Sequence, residues 1–349
     1  MAYTNIDDPS AYFQVATWSG NSSTQTITND GNSDLQPDWI WIKQRSSTQW
    51  HTVTDTSRGL TKYQFTNSNG QENTITNMVT ASNTDGFSLG SDQRGNASSQ
   101  TYVGWQWKCN GGTTSSNTDG DITTTVQVNQ DAGFSIIQYT ASGVANDTIG
   151  HGLGVTPNWV IFKRRDVANG NWDVQIDGTS RITLNLTEAA ATNVLSSFSS
   201  TTVGLSNAND AQKNVNGSNY TAYAFAEKQG YSKFGKYVGN GARDGVFVYT
   251  GFQPAFVMIK CSSAANGRWT MFDNKRTIAN GDMDYLVADA DHAESNAGLG
   301  YTDPIDLVSN GFKIRNSDLF TNQSGTSYIY MAFAENPFVT STGIPTTAR

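Results

Sequence analysis

The sequence predicts an all-β protein of three tandem β-sandwich-like repeats, with at most one or two short helices. Three observations lead there. Residue usage favours strands and turns, an ordered set of five landmarks occurs three times, and each copy is about the length of a small sandwich.

The first observation is composition. Charged residues make 15% of the 349 positions and aromatics 11%, with 9 Trp. Few charges and many aromatics exclude a disordered chain. Thr, Val, Ile and aromatic side chains suit pleated surfaces, and Gly, Asn and Asp supply turns. The length exceeds the ~250–300 residues at which single cores stop growing, so two or three domains are expected. Net charge is -8 with no basic stripe, which argues against nucleic-acid binding. No apolar run approaches the ~20 residues of a membrane span, so no membrane insertion is expected. The N-terminal MAYTNIDDPSAYF has neither the basic nor the apolar region of a signal peptide.

The second observation is the repeat. Pro37-Asp-Trp39-Ile-Trp-Ile-Lys43, Pro157-Asn-Trp159-Val-Ile-Phe-Lys163 and Pro254-Ala-Phe256-Val-Met-Ile-Lys260 share one pattern. Each is preceded by an aromatic, a hydroxyl residue and a small residue: Trp18-Ser-Gly20, Tyr139-Thr-Ala141 and Tyr249-Thr-Gly251. Each is followed by a Trp, an Asp and an Arg. These sets are Trp50, Asp55, Arg58; Trp172, Asp177, Arg181; and Trp269, Asp273, Arg276. A Gly-apolar pair comes next (Gly86-Phe87, Gly204-Leu205, Gly311-Phe312). Each repeat closes on an alternating aromatic strand, at Tyr102–Trp107, Tyr220–Phe225 and Tyr328–Phe333.

These landmarks place repeats at 11–109, 133–228 and 244–338. Around them lie an N-terminal arm (1–10), a polar linker (110–132), a Gly-rich linker (229–243) and a C-terminal tail (339–349). The arm is turn-rich and reads as an attachment segment ordered only on docking. Leu186–Ser196 and, more weakly, Val287–Asn296 are the helix candidates.

Chemistry is sparse. His151 lies in Gly150-His-Gly-Leu-Gly154, between two strand signals, and is read as a turn residue rather than a catalytic one, with a ligand-binding role as the alternative. Asp289-Ala-Asp-His292-Ala-Glu294, with Asp282 and Asp284 upstream, resembles a fragment of a calcium loop. It fails that test, because the sixth position is Glu294 and the twelfth is Gly300. No Cys or His pair has zinc spacing, and Cys109 and Cys261 are read as free thiols. No catalytic residue, metal or cofactor is assigned. The repeated Trp/Asp/Arg sets are read as scaffold, with the Asp–Arg pairs tying a polar excursion to the sheet and the Trp packing the core. The alternative is a sugar-binding platform.

Ile6-Asp-Asp-Pro-Ser-Ala-Tyr-Phe13, Gly31–Lys43, Asp85-Gly-Phe-Ser-Leu-Gly90, Gly133–Thr140 and Gly150–Pro157 resemble a family of tail-fibre-like virion proteins of marine bacteriophages and cyanophages. The likeness is strongest over residues 3–165. It departs at Trp105-Gln-Trp-Lys108, where that family shows Trp-Cys-Trp-Lys, and weakens in the third repeat. The resemblance implies a structural, non-enzymatic virion protein of the tail or its fibres that contributes to host attachment. Its expected partners are other virion proteins and a host-surface glycan, and its expected state a homo-oligomer. The expected location is the virion, made in the host cytoplasm and released by lysis. The alternatives are a capsid decoration protein, a free-standing lectin, or a virion-borne glycosidase using carboxylates among Asp177, Asp273, Glu227 and Glu335.

Overall fold

The structure, a computed structural model, describes residues 3–192, 196–277, 280–281, 283–294 and 304–346. It is an all-β, sandwich-type fold. Each repeat contributes one large antiparallel sheet with the same four strands at its centre, in the order opening, closing, signature, returning. The opening strands are Phe13–Ser19, Phe134–Thr140 and Ser232–Val238. The signature strands are Trp39–Gln44, Trp159–Arg164 and Phe252–Cys261. The returning strands are Thr52–Asp55, Asp173–Ile176 and Trp269–Asp273, and the closing ones Thr101–Trp107, Asn219–Phe225 and Ser327–Pro337.

A small sheet covers one face of each large one. It pairs Gln25–Ile27 and Val79–Ser82 with Phe87–Leu89 in the first repeat, and Thr148–Gly150 with Thr202–Gly204 in the second. In the third it pairs Phe247–Tyr249 and Ile305–Val308 with Gly311–Ile314. Glycine is required where these layers meet: a Cβ on Gly86 or Gly311 would lie 2.0 Å from the Ile27 carbonyl or 2.1 Å from that of Val248.

The signature strands are buried along nearly their whole length, which explains their unbroken apolar runs. Alternate side chains serve two cores. Ile40 and Ile42 face the small sheet, with Tyr63, Met78 and Phe87. Trp39 and Trp41 face the other way, into a cluster drawn from all three repeats. There Trp39 stacks on Tyr223 at 4.7 Å, Phe13 on Phe333 at 5.1 Å, and Trp159 meets Trp269 at 6.0 Å. Each repeat thus touches both others around one aromatic core.

The backbone repeats the arrangement cyclically. Glu72 N–H donates to the Arg165 carbonyl (first to second repeat), Ala190 N–H to Ser262 (second to third), and Glu294 N–H to Arg45 (third to first). This is a head-to-tail contact that closes on itself, made within a single chain.

Several expectations are corrected. The Gly-rich linker contains Ser232–Val238, the opening strand of the third large sheet, so Tyr237-Val-Gly239 matches Trp18-Ser-Gly20 and Tyr249-Thr-Gly251 does not. The three aromatic pairs that define this match are nearly parallel: Trp18–Tyr102, Tyr139–Tyr220 and Tyr237–Tyr328, at 5.6, 5.3 and 5.0 Å. The polar linker contains Ser115–Asn117 and Thr124–Asn129, which extend the second sheet. The N-terminal arm is seated on the third repeat: Thr4 Oγ1 donates to the Gln229 carbonyl at 2.8 Å and Ile6 is buried in the central cluster.

No helix forms from Leu186 to Thr192 or from Val287 to Glu294; Asn193–Leu195 and 295–296 lie outside the described residues. Tertiary pairing overrides local propensity there. Ala191–Thr192 and Leu286–Val287 extend their sheets, and Ala190 bonds to the next repeat. The described helices are short, Gln93–Asn96 and the 3-10 turn Pro9–Ala11.

Candidate functional site

The polar residues marked by the repeats gather at the junctions. Strand register aligns Trp39 with Asp55, Phe256 with Asp273, and Trp159 with Ile176. Asp55 and Asp273 are therefore equivalent, and the second repeat has Ile176 in their place. Arg58 Nε binds Asp55 at 2.5 Å, and Arg276 Nε binds Asp273 at 2.6 Å, with all four side chains fully buried. Each pair is completed from other elements. Tyr223 O–H donates to Asp55 at 2.8 Å, and Trp105 Nε1–H donates to Asp273 at 3.1 Å. Arg58 also reaches Glu72, which binds Arg165; Arg276 reaches Glu294, which binds Arg45.

The first–second and third–first junctions thus hold the same network: Asp, Arg, Glu, and an Arg from the neighbouring repeat. Burial disfavours the Arg58 cation, but Asp55, Tyr223 and Glu72 override it and hold the guanidinium charged above its ordinary range. Burial likewise works against the Glu72 carboxylate, and Arg165 and Arg58 keep its pKa below the usual value. At the second–third junction every member is replaced. Ile176, Ala190, Ser262 and Met331 stand where the others have Asp, Glu, Arg and Trp or Tyr, and Ile176 and Met331 are buried in the central cluster.

The remaining signature residues divide. Trp172 and Trp269 are fully buried and cross their junctions, Trp172 Nε1–H to the Phe65 carbonyl at 2.8 Å and Trp269 Nε1–H to that of Thr183 at 2.9 Å. The equivalent position in the first repeat is His51, not Trp50. His51 is buried and accepts Trp41 Nε1–H at 2.9 Å, whereas Trp50 is 43% exposed. Burial, with Lys43 and Arg276 nearby, pushes His51 well below the usual histidine range. Asp177 is half-exposed and binds Lys236 across the second–third junction, and Arg181 only approaches Asp210, at 3.8 Å.

His151 is buried; its Nδ1 accepts Leu153 N–H at 3.1 Å, closing the turn, and burial lowers its pKa. In the supposed metal loop, Asp289 accepts Trp269 N–H and binds Arg268 while Glu294 turns to Arg276 and Arg45. Asp282 lies outside the described residues. Among the described residues no group of three His, Cys, Asp or Glu side chains is placed to hold a metal ion. Cys109 and Cys261 are buried free thiols.

Sequence reasoning missed the three buried lysines. Lys43, Lys163 and Lys260 end the shared motif, and each ammonium is wrapped by backbone carbonyls: Gln44 for Lys43, Gly70 and Gly170 for Lys163, Gly267 for Lys260. Burial pulls Lys43 and Lys163 down to about 7 and Lys260 to about 8. The triple recurrence of Lys was the available signal.

Grooves open beside the junctions. One of about 650 Å3 runs along Cys109–Asp131, one of about 280 Å3 lies under the N-terminal arm, and one of about 330 Å3 lies between the third and first repeats. No curated protein and no solved structure matches the chain. The family model described as Domain of unknown function (DUF7483) matches residues 8–337 and so spans all three repeats; the chain belongs to that family.

Proposed function

We propose that this chain is a structural, non-enzymatic protein of a bacteriophage virion, a component of the tail or its fibres that contributes to host attachment. The observation that carries the reading is how the conspicuous polar residues are used. Asp55, Arg58, Asp273 and Arg276 are sealed between repeats, where they lock the body and meet no solvent. A rigid, low-charge β body with a Ser/Thr/Asn-rich exterior suits a particle part that must survive outside a cell. Of the four carboxylates a glycosidase would use, Asp273 is committed to Arg276, Asp177 to Lys236 and Glu227 to Lys233, which leaves Glu335 without a second free carboxylate from that set. No helix among the described residues is long and apolar enough to cross a membrane.

The closed three-way body favours one second reading, a capsid decoration protein seated on a threefold position. Immunogold electron microscopy of intact particles, with antibody to this chain, tests both. Label on the tail is expected. Label confined to the head would move the protein to the capsid, and unlabelled particles would remove it from the virion.

A further inference from the structure

We propose that the groove between the third and first repeats is a binding site for a neutral saccharide. The same place is filled at the other two junctions. At the first–second junction, Asp38 accepts the Cys109, Gly111 and Gly112 N–H groups and the Thr56 hydroxyl, and Gln127 closes over them. At the second–third junction, Asn158 occupies the position of Asp38 and accepts Glu227 N–H, while Glu227 binds Lys233. The equivalence is fixed by the backbone, since Thr56, Asp177 and Asn274 N–H donate to the carbonyls of Asp38, Asn158 and Ala255.

At the third–first junction the plug is missing. Ala255 replaces the polar residue, and a cavity of about 330 Å3 remains. Its apolar floor includes Phe13, Ala255 and Ala334. Asn274 lines it too, and its Oδ1 atom is buried with no hydrogen-bond partner. The part-exposed Glu335 also lines it, and no described residue gives its carboxylate an ion pair or hydrogen bond. Lys275 and Asp30 form the lip, joined at 2.8 Å across the two repeats.

Such a site asks for a particular chemistry. The buried Asn274 Oδ1 lacks a donor, and the part-exposed Glu335 carboxylate is a second acceptor without one. The floor needs a non-polar face. Glu335 and Asp30 repel an anion, while the Lys275 ammonium on the lip is already paired. A pyranose supplies several hydroxyl donors and a C–H face together. The volume is near the lower end of the ~300–1,000 Å3 of small-molecule sites, which suits about one or two sugar rings. Assigning the sugar to a host surface rests on the attachment role proposed above; the site itself does not.

The test is saturation-transfer-difference NMR on the full chain. The probes are glucose, galactose, mannose, rhamnose and N-acetylglucosamine, their disaccharides, and putrescine as a cationic control. At least one sugar is expected to bind in the millimolar range. Glu335→Gln and Asn274→Ala should each weaken it about tenfold, the loss of one hydrogen bond to a charged or polar group. Ala255→Asp, which restores the plug of the first repeat, should abolish it, and Trp50→Ala should leave it unchanged. Thermal unfolding of each variant confirms folding, and Glu335→Gln changes shape least. No sugar binding, binding unaffected by Glu335→Gln and Ala255→Asp, or a response to putrescine alone would overturn the proposal. Sugar binding here with immunogold label off the tail would leave the site standing and sink the attachment role.

Discussion

Arg58 and Arg276 are charges with no access to water, so their carboxylate partners are not optional. Removing one partner of a buried pair leaves an uncompensated ion and costs about 3–5 kcal/mol. Asp273→Asn should therefore lower the free energy of unfolding by about that amount, read from urea denaturation. Asp177→Asn, at a half-exposed pair on the sheet rim, should change it by under ~0.5 kcal/mol. Equal effects would show that the buried network is not what separates the two sites. Sequence spacing put Asp177 and Asp273 in one class, because both follow a Trp by four or five residues. Strand register separates them, since Ile176 is the true counterpart of Asp273 and a one-residue shift moves a side chain to the other face. The same slip chose Trp50 over His51: an eye tuned to Trp overlooks a histidine in a tryptophan's place.

The lysines give a pH dependence at the same scale. An unfolded lysine has a pKa of ~10.4, well above the values of about 7 to 8 that burial imposes on Lys43, Lys163 and Lys260 in the folded state. Between those values the unfolded chain binds protons that the folded one lacks, so stability rises with pH across that window. Above pH ~10 the sign reverses. Unfolded tyrosines then lose protons, whereas burial holds Tyr139, Tyr223, Tyr231 and Tyr237 far above their ordinary range. Urea midpoints should therefore climb from pH ~7 to a maximum near pH ~9–10, with a shallower climb in Lys163→Met. A midpoint that falls over that interval would mean that the carbonyls around each ammonium keep it charged.

At the scale of elements, the N-terminal arm shows what sequence patterning cannot reach. Tyr3–Asp8 has no strand period, so its sequence gave no reason to dock it anywhere. Its order comes from a distant surface: Tyr3 O–H donates to Gly251 at 2.7 Å, Thr4 to Gln229, and Asp7 accepts Ser341 N–H at 2.6 Å from the other end of the chain. The arm straps the first repeat to the third, with Ile6 as its apolar anchor. Burying an isoleucine contributes about 1.5–3 kcal/mol, and putting a carboxylate in its place reverses the sign. Ile6→Asp should release the arm, and limited proteolysis should then cut ahead of Ser10 while the rest stays resistant. An arm as protected in the variant as in the wild type would show that the hydrogen bonds alone hold it. The strand Ser232–Val238 was hidden for a related reason: Gly230, Gly235 and Gly239 punctuate it like a linker, and only its pairing with Ser327–Phe333 reveals a sheet edge.

For the whole molecule, the length predicted two or three domains, and the three-sandwich plan was legible because the signature strand, the Gly-apolar pair and the closing aromatic strand recur in order, even where the landmarks between them were misaligned. The landmarks gave no sign that the sandwiches share their largest core. A strand buried on both faces reads as a plain apolar run, and nothing in Trp39-Ile-Trp-Ile says that two of its side chains meet another repeat. The consequence is cooperative. Severed from its neighbours, the second repeat would expose Phe134, Trp159, Ile161, Trp172, Tyr223 and Phe225 on one sheet face, an apolar patch well above the ~300–600 Å2 that typical monomers show. Residues 115–227 made alone should therefore bind hydrophobic dye and aggregate. The full chain should unfold in one calorimetric transition whose van't Hoff and calorimetric enthalpies agree. Three resolved transitions, or a soluble and folded second repeat, would mean that the inner sandwich cores carry the stability and the shared aromatic core only aligns them. One transition makes the junction networks global in their effect: a substitution at Asp273, in the third repeat, lowers the stability of the first two by the same amount.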